Sequence, residues 1–224
     1  MDVTDTKPKW NRRKDARPAE IIDAALDVFA ECGFAAAKLG DVAKRAGVVK
    51  GTLYRYFDTK QDLFRAVVQH AVSINLQDIE QVSTGYRGPL RDLVPLILSG
   101  AAGRLGDSRV PALARLVIAE SRTFPDLATI WHDNVVAHLL KLMTGVIGEA
   151  QQRGEVRPGD PTLYAFSVLG PMIAGALFKE IFGLFSPYAP DLQALARQHA
   201  ETVIRGMMPC VDPASEGGSP RGKR

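Results

Sequence analysis

The chain has 224 residues, 46% of them hydrophobic and only two of them cysteine, so it can bury one or two globular cores and is not a disulfide-stapled scaffold. Its formal net charge is +3, but residues 1–60 carry 12 Lys and Arg against 9 Asp and Glu, whereas residues 61–224 carry 16 of each. The whole positive excess therefore lies in the first quarter, where it suits a polyanionic partner or a merely solvated surface. No apolar leader opens the chain, and with Cys32 and Cys210 as its only thiols a reducing cytoplasm is the expected compartment.

Residues 1–17 hold Lys7, Lys9, Arg12, Arg13, Lys14 and Arg17 around Pro8, which predicts a flexible basic arm that either follows a minor groove or keeps the terminus solvated. Pro18 then sits in the favoured first-turn position, and Ile22, Leu26 and Phe29 recur at helical spacing until Gly33 ends the first helix. From Asp41 to Phe57 the pattern is helix, Gly47 turn and second short helix, a helix-turn-helix. On a wheel of the second helix Leu53 and Phe57 point inward. Gly51, Thr52 and Arg55 point outward, flanked by Tyr54 and Tyr56.

Long cationic donors, a hydroxyl and phenols on one face suit phosphates and base edges in a major groove, although an ordinary amphipathic helix pair shows the same spacing. Arg55 and Lys50 are the candidates for base readout, and Thr52 is shared between base and backbone. Gly51 admits close approach, while Lys44, Tyr54, Tyr56 and Lys60 are assigned to phosphates. Thr59 or Asp58 is the expected cap of a long fourth helix, with Asp62 as partner. Lys60 in its first turn opposes the macrodipole, which a bound phosphate would relieve.

The run Gly33-Phe34, Asp41-Val42-Ala43, Ala46-Gly47-Val48 and Lys50–Phe57, followed by Thr59–Leu63, closely resembles the N-terminal domain of TetR-family transcriptional regulators. The resemblance covers about residues 17 to 65. Val49 and Ala37-Lys38 depart from it by standing where Ser or Thr is usual, which removes two N-caps worth about 1 kcal/mol each. It implies an all-α chain: a helix-turn-helix DNA-binding domain over 18–60, joined by a long helix to a helical effector-binding and dimerisation domain over 61–210. Residues 211–224, rich in Gly, Ser and Pro, are expected to be disordered.

Beyond residue 60 every segment reads as helix: Leu63 towards Gly85, Pro89 to about Leu105, Val110–Arg122, Pro125–Arg153, Asp160–Phe185 and Asp191–Met208. The apolar run from Leu163 to Phe178 is sixteen residues, below the roughly 20 of a membrane span, and predicts a helix buried on every side, in a domain core or in a subunit interface. The resemblance implies that 160–185 and 191–208 pair two subunits into a four-helix bundle. A homodimer would place two reading helices about 34–36 Å apart on a near-palindromic operator in double-stranded DNA.

The resemblance further implies a small-molecule effector, apolar or aromatic because few charges fall on the inner faces. The candidate pocket residues are Phe124, Trp131, His132, Val135, His138 and Met143, with Phe166, Met172 and Phe178 on the next helix; plain core packing is the alternative for each. His132 and His138 lie about 240° apart on a helix, and no catalytic or metal motif is present, so neither enzyme activity nor a metal or cofactor is expected. The expected function is a ligand-released repressor. The alternative is a DNA-bound interaction protein of the same fold without an effector.

Overall fold

The computed structural model describes residues 12–71, 86, 88–107 and 109–209, with side chains from Pro18 onward except that of Asp107. Among these residues every regular element is helical: α1 (Arg12–Ala36), α2 (Leu39–Arg45), α3 (Lys50–Tyr54), α4 (60–71), α5 (Leu90–Asp107), α6 (Val110–Glu120), α7 (Pro125–Trp131), α8 (Ala137–Gln152), α9 (Pro161–Phe182) and α10 (Leu192–Met207). A π-turn, His132–Val136, joins α7 to α8.

Helix α1 opens at Arg12, six residues ahead of the expected start at Pro18, which lies inside it. Proline removes one ladder hydrogen bond near the beginning of a helix, and the Arg, Lys and Ala residues before it are good helix formers, so the chain coils early. The rest of the expected arm, residues 1–11, lies outside the described residues, as do 72–85, 87, 108 and 210–224 with the expected disordered tail. At the other end Gly33 (φ 79, ψ 174) breaks the ladder in a backbone region open only to glycine and leaves Phe34–Ala36 as a detached last turn.

Helix α2 ends in a Schellman motif at Gly47 (φ 64): Val48 N–H donates to Ala43 O at 2.9 Å and Gly47 N–H to Lys44 O at 3.2 Å. Neither Lys38 nor Val49 supplies a side-chain cap, as their departure from the family pattern predicts. By contrast Thr59 Oγ1 accepts from Asp62 N–H at 3.0 Å and donates to the Asp62 carboxylate at 2.6 Å, fixing the start of α4. Asp160 and Asp191 cap α9 and α10 through Thr162 and Ala194 N–H.

The expected single helix Pro125–Arg153 runs unbroken to Gln152 but widens into a π-turn at His132–Val136, where the Asn134 side-chain amide takes the Ile130 carbonyl at 2.7 Å and its Oδ1 accepts from Gln69 of α4 at 3.0 Å. Two cores result. The first gathers Phe29, Phe34, Val42, Leu53, Phe64 and Val67 with Leu113, Leu116, Leu127, Ile130 and Val135, so α6 and α7 pack directly on the N-terminal helices. Within it the rings of Phe29, Phe34 and Phe64 lie 5.6–5.7 Å apart in pairs, and Phe124 is 5.1 Å from Phe34. The second core is built from α5, α8, α9 and α10, around Leu98, Met143, Ile147, Val168, Met172 and Ala200.

Helix α9 has 22 residues and holds an 18-residue stretch of mean hydropathy 1.5, long and apolar enough to cross a membrane by length and composition, although its uninterrupted apolar run is shorter. Within the single chain it is buried on one side only, which leaves the other for the expected subunit interface. Ala165, Val168, Met172 and Ala176 pack into the second core, while Leu163 (65% exposed), Phe166 (55%), Ile173 and Ile181 form an open apolar face. Leu184, Phe185 and Tyr188 extend it past the helix end. The outer face of α10 is polar, carrying Arg197, Gln198, Glu201, Thr202 and Arg205.

Candidate nucleic-acid interface

The candidate reading face is built from α2, the Gly47 turn and α3. Val42, Ala43, Leu53 and Phe57 are buried and hold both helices on α1 and α4. Arg45 clamps α2 to α1 through two hydrogen bonds of 2.8 Å to the Glu31 carboxylate, which that guanidinium holds below the usual glutamate range. With the inner side so anchored, Lys44, Lys50, Gly51, Tyr54, Arg55 and Tyr56 are exposed and Thr52 is half-buried beside them. Lys50 Nζ lies 5.8 Å from the Tyr54 ring centroid, one helical turn on, so the cation and the phenol share one patch.

Lys60 departs from this group. Its ammonium is turned into the protein, donating to Phe34 O at 2.6 Å, Ala37 O at 3.1 Å and Ala35 O at 3.3 Å, and lies 4.5 Å from the Phe34 ring. Burial lowers its pKa, partly offset by the Glu120 carboxylate. The cation that opposes the dipole of α4 thus sits at the carbonyl end of the turn closing α1, where positive charge is favoured.

Glu120, at the end of α6, was not legible as a site residue. Its carboxylate accepts from Phe34 N–H at 2.9 Å and Ala35 N–H at 2.7 Å, the donors freed by the break at Gly33. It belongs to no motif, and only its contact across 86 residues marks it out.

The nine candidate pocket residues are not gathered around one cavity. Phe124, Trp131 and Val135 pack in or against the first core, Met143 and Met172 lie in the second, and Phe178 pairs with Phe182 at 5.0 Å. His132, His138 and Phe166 are exposed. His132 Nδ1 pairs with Asp133 and His138 Nδ1 with the Asp133 carbonyl, and among the described residues no group of three His, Cys, Asp or Glu could hold a metal. A cavity of about 140 Å³ lies elsewhere, between the start of α5, the turn after α8 and the end of α10, lined by Leu90, Val156, Ile204 and Met207.

A helix-turn-helix head that exposes a basic, phenol-bearing second helix, set on a body helical throughout its described residues, has the architecture of a DNA-binding regulator. The family model for bacterial regulatory proteins of the tetR family matches residues 21–67, and that for the tetracyclin repressor-like C-terminal domain matches 87–181. The fatty acid metabolism regulator protein of Bacillus subtilis is 28% identical over 202 residues, spanning 88% of this chain and 98% of that protein. Among solved structures, a TetR-family regulator from Mesorhizobium loti matches with TM-score 0.72 at 24% identity, over 88% of this chain and 98% of that one. FadR from Bacillus subtilis, in complex with stearoyl-CoA, matches with TM-score 0.70 at 23% identity, over 84% and 98%. At such identities the two structures speak for the fold alone. The chain belongs to the TetR family of transcriptional regulators, DNA-binding proteins and not enzymes.

Proposed function

We infer that the protein is a homodimeric repressor that binds a near-palindromic operator and is released by a mainly apolar ligand. The observation that carries the dimer is the open apolar face of α9. A second copy laid against it would bury Leu163, Phe166, Ile173 and Ile181 at the centre, with the polar outer face of α10 as rim, the usual anatomy of a stable interface. Two reading heads about 34–36 Å apart would then meet successive major-groove faces, with Arg55 and Lys50 at base edges and Lys44, Tyr54 and Tyr56 at phosphates. Such a complex represses by occluding a promoter, in a cytoplasmic setting.

For the ligand, the relation to a fatty acid metabolism regulator and the fold shared with a protein solved with stearoyl-CoA favour an acyl chain. The test is selection of random duplexes on the purified protein, with the mass of the complex recorded, followed by titration of stearoyl-CoA into it. An inverted repeat bound by two chains and released by micromolar stearoyl-CoA supports the whole reading. A monomer on an asymmetric site overturns the dimer.

One observation favours a second reading, a DNA-bound interaction protein without an effector. The more enclosed cavity, about 140 Å³, is below the roughly 300–1,000 Å³ of ligand sites, and the larger space of about 670 Å³ beside Gln151, Arg157 and Pro161 is a cleft open to solvent, so an acyl chain would have to open the packed helices to be enclosed. A complex indifferent to stearoyl-CoA, to free fatty acids and to aromatic biocides would select that reading.

A further inference from the structure

The detached turn after Gly33 is gripped from two sides by side chains of two other helices. Breaking the helical ladder at Gly33 frees the N–H groups of Phe34 and Ala35, and ending the chain's first helix frees the carbonyls of Phe34, Ala35 and Ala37. Glu120 from α6 accepts from both N–H groups, at 2.9 and 2.7 Å, and Lys60 from α4 donates to all three carbonyls, at 2.6 to 3.3 Å. Five residues earlier on α6, Arg115 donates to Ala30 O of α1 at 3.3 Å and reaches Glu180 of α9 at 3.4 Å. Helix α6 therefore holds the end of α1 at two points and α9 at one. The turn leads directly through Lys38 into α2, which has no side-chain cap of its own, so the turn joins the Arg45–Glu31 pair and the buried Val42 and Leu53 in setting where α2 and α3 lie.

We propose that Glu120 and Lys60 are positioning residues for operator binding: they form a clasp on the 33–37 turn through which α6 sets the pitch of the reading helices, and Lys60 spends its charge there and not on a DNA phosphate. This rests on the DNA-binding reading. It reassigns Lys60, whose place in the first turn of α4 otherwise invites a phosphate role. Glycine at 33 is part of the device, since an added Cβ would overlap the Glu120 carboxylate.

The experiment measures affinity for a duplex enriched from a random pool by the full-length protein, across a series of KCl concentrations, for wild type, Lys60→Met, Lys60→Arg, Glu120→Gln and the Lys60→Met/Glu120→Gln pair. The expected result is that each of Lys60→Met and Glu120→Gln weakens binding roughly tenfold, with the slope of log affinity on log salt unchanged. The pair should lose far less than the product of the singles, because both act on one turn. Lys60→Arg, which can still donate to the carbonyls, should restore most of the loss. A slope that falls by about 0.9 per lost contact in Lys60→Met would make Lys60 a phosphate ligand and overturn the proposal. Wild-type affinity in Glu120→Gln, or losses that multiply, would overturn it too. Should the Lys60 variants fail to fold, amide exchange of Phe34 and Ala35 in the wild type decides: both protected if the clasp is closed, both fast if it is not. A wild type that enriches no duplex at low salt would instead remove the DNA-binding reading and leave the exchange result to judge the clasp.

Discussion

At the scale of single residues, the reading face divides sharply between anchors and readers. Leu53 is fully buried and Arg55, two residues on, is exposed, so their substitutions should fail differently. Leu53→Ala should destabilise the fold by about 2–5 kcal/mol, seen as a lowered denaturant midpoint. Arg55→Ala should leave stability within about 0.5 kcal/mol and relax base preference by about 1–3 kcal/mol, seen as flattened discrimination between the operator and its single-base variants. Equal loss on specific and random duplexes would remove Arg55 from base readout. Charge acts at the same scale. The carboxyls of Glu31, Asp62, Glu155 and Asp191 are held below the ordinary 4.5 and 3.8 of glutamate and aspartate, chiefly by hydrogen bonds from Arg45, Thr59, Arg153 and the Ala194 N–H respectively. Their folded pKa values are depressed, so the folded chain binds fewer protons than the unfolded one. The stability they lend is complete above the ordinary values and is lost as pH falls through the lowered ones. A thermal midpoint steady from pH 7 to about 5 that drops below about 4 is expected, and Glu31→Gln should shrink the drop.

At the scale of elements, the helix ends that punctuation residues mark were legible: Gly33, Gly47, Thr59, Asp160 and Asp191 each terminate or cap a helix because the backbone requirement is local. The early start of α1 and the π-turn at His132–Val136 were not, since they depend on a proline tolerated by context and on Asn134 meeting both Ile130 and Gln69. The site follows the same rule. Exposure of Lys50, Tyr54, Arg55 and Tyr56 follows from helical periodicity, whereas the inward turn of Lys60 and the role of Glu120 depend on tertiary contacts that no spacing encodes. The candidate pocket residues scatter between two cores and the surface for that reason. Asp191→Ala, which strips the cap of α10, should cost about 1 kcal/mol and lower the thermal midpoint by about 2–4 °C. Gly33→Ala combines backbone strain with displacement of Glu120, and should weaken operator binding by more than its loss of stability accounts for.

At the scale of the whole molecule, the open face of α9 makes association testable without DNA. Ile173→Glu puts a charge at its centre without touching the second core, so the chain should stay helical by circular dichroism while sedimentation shows monomers and operator affinity falls steeply. A dimer that survives the change would place the contact elsewhere. The two cores carry a different consequence. Leu63, Phe64, Val67 and Val68 from α4, and Leu113, Leu116 and Val117 from α6, fill the interior beneath the helix-turn-helix. The DNA-reading head is therefore not a detachable cartridge. Grafting residues 1–60 alone onto another regulator would strand Phe29, Phe34 and Leu53 without their floor, whereas a graft that also carries α4 and the inward side of α6 would bring its own. The head can be moved as a unit only together with the part of the C-terminal half that supports it, whereas its exposed side chains can be exchanged in place.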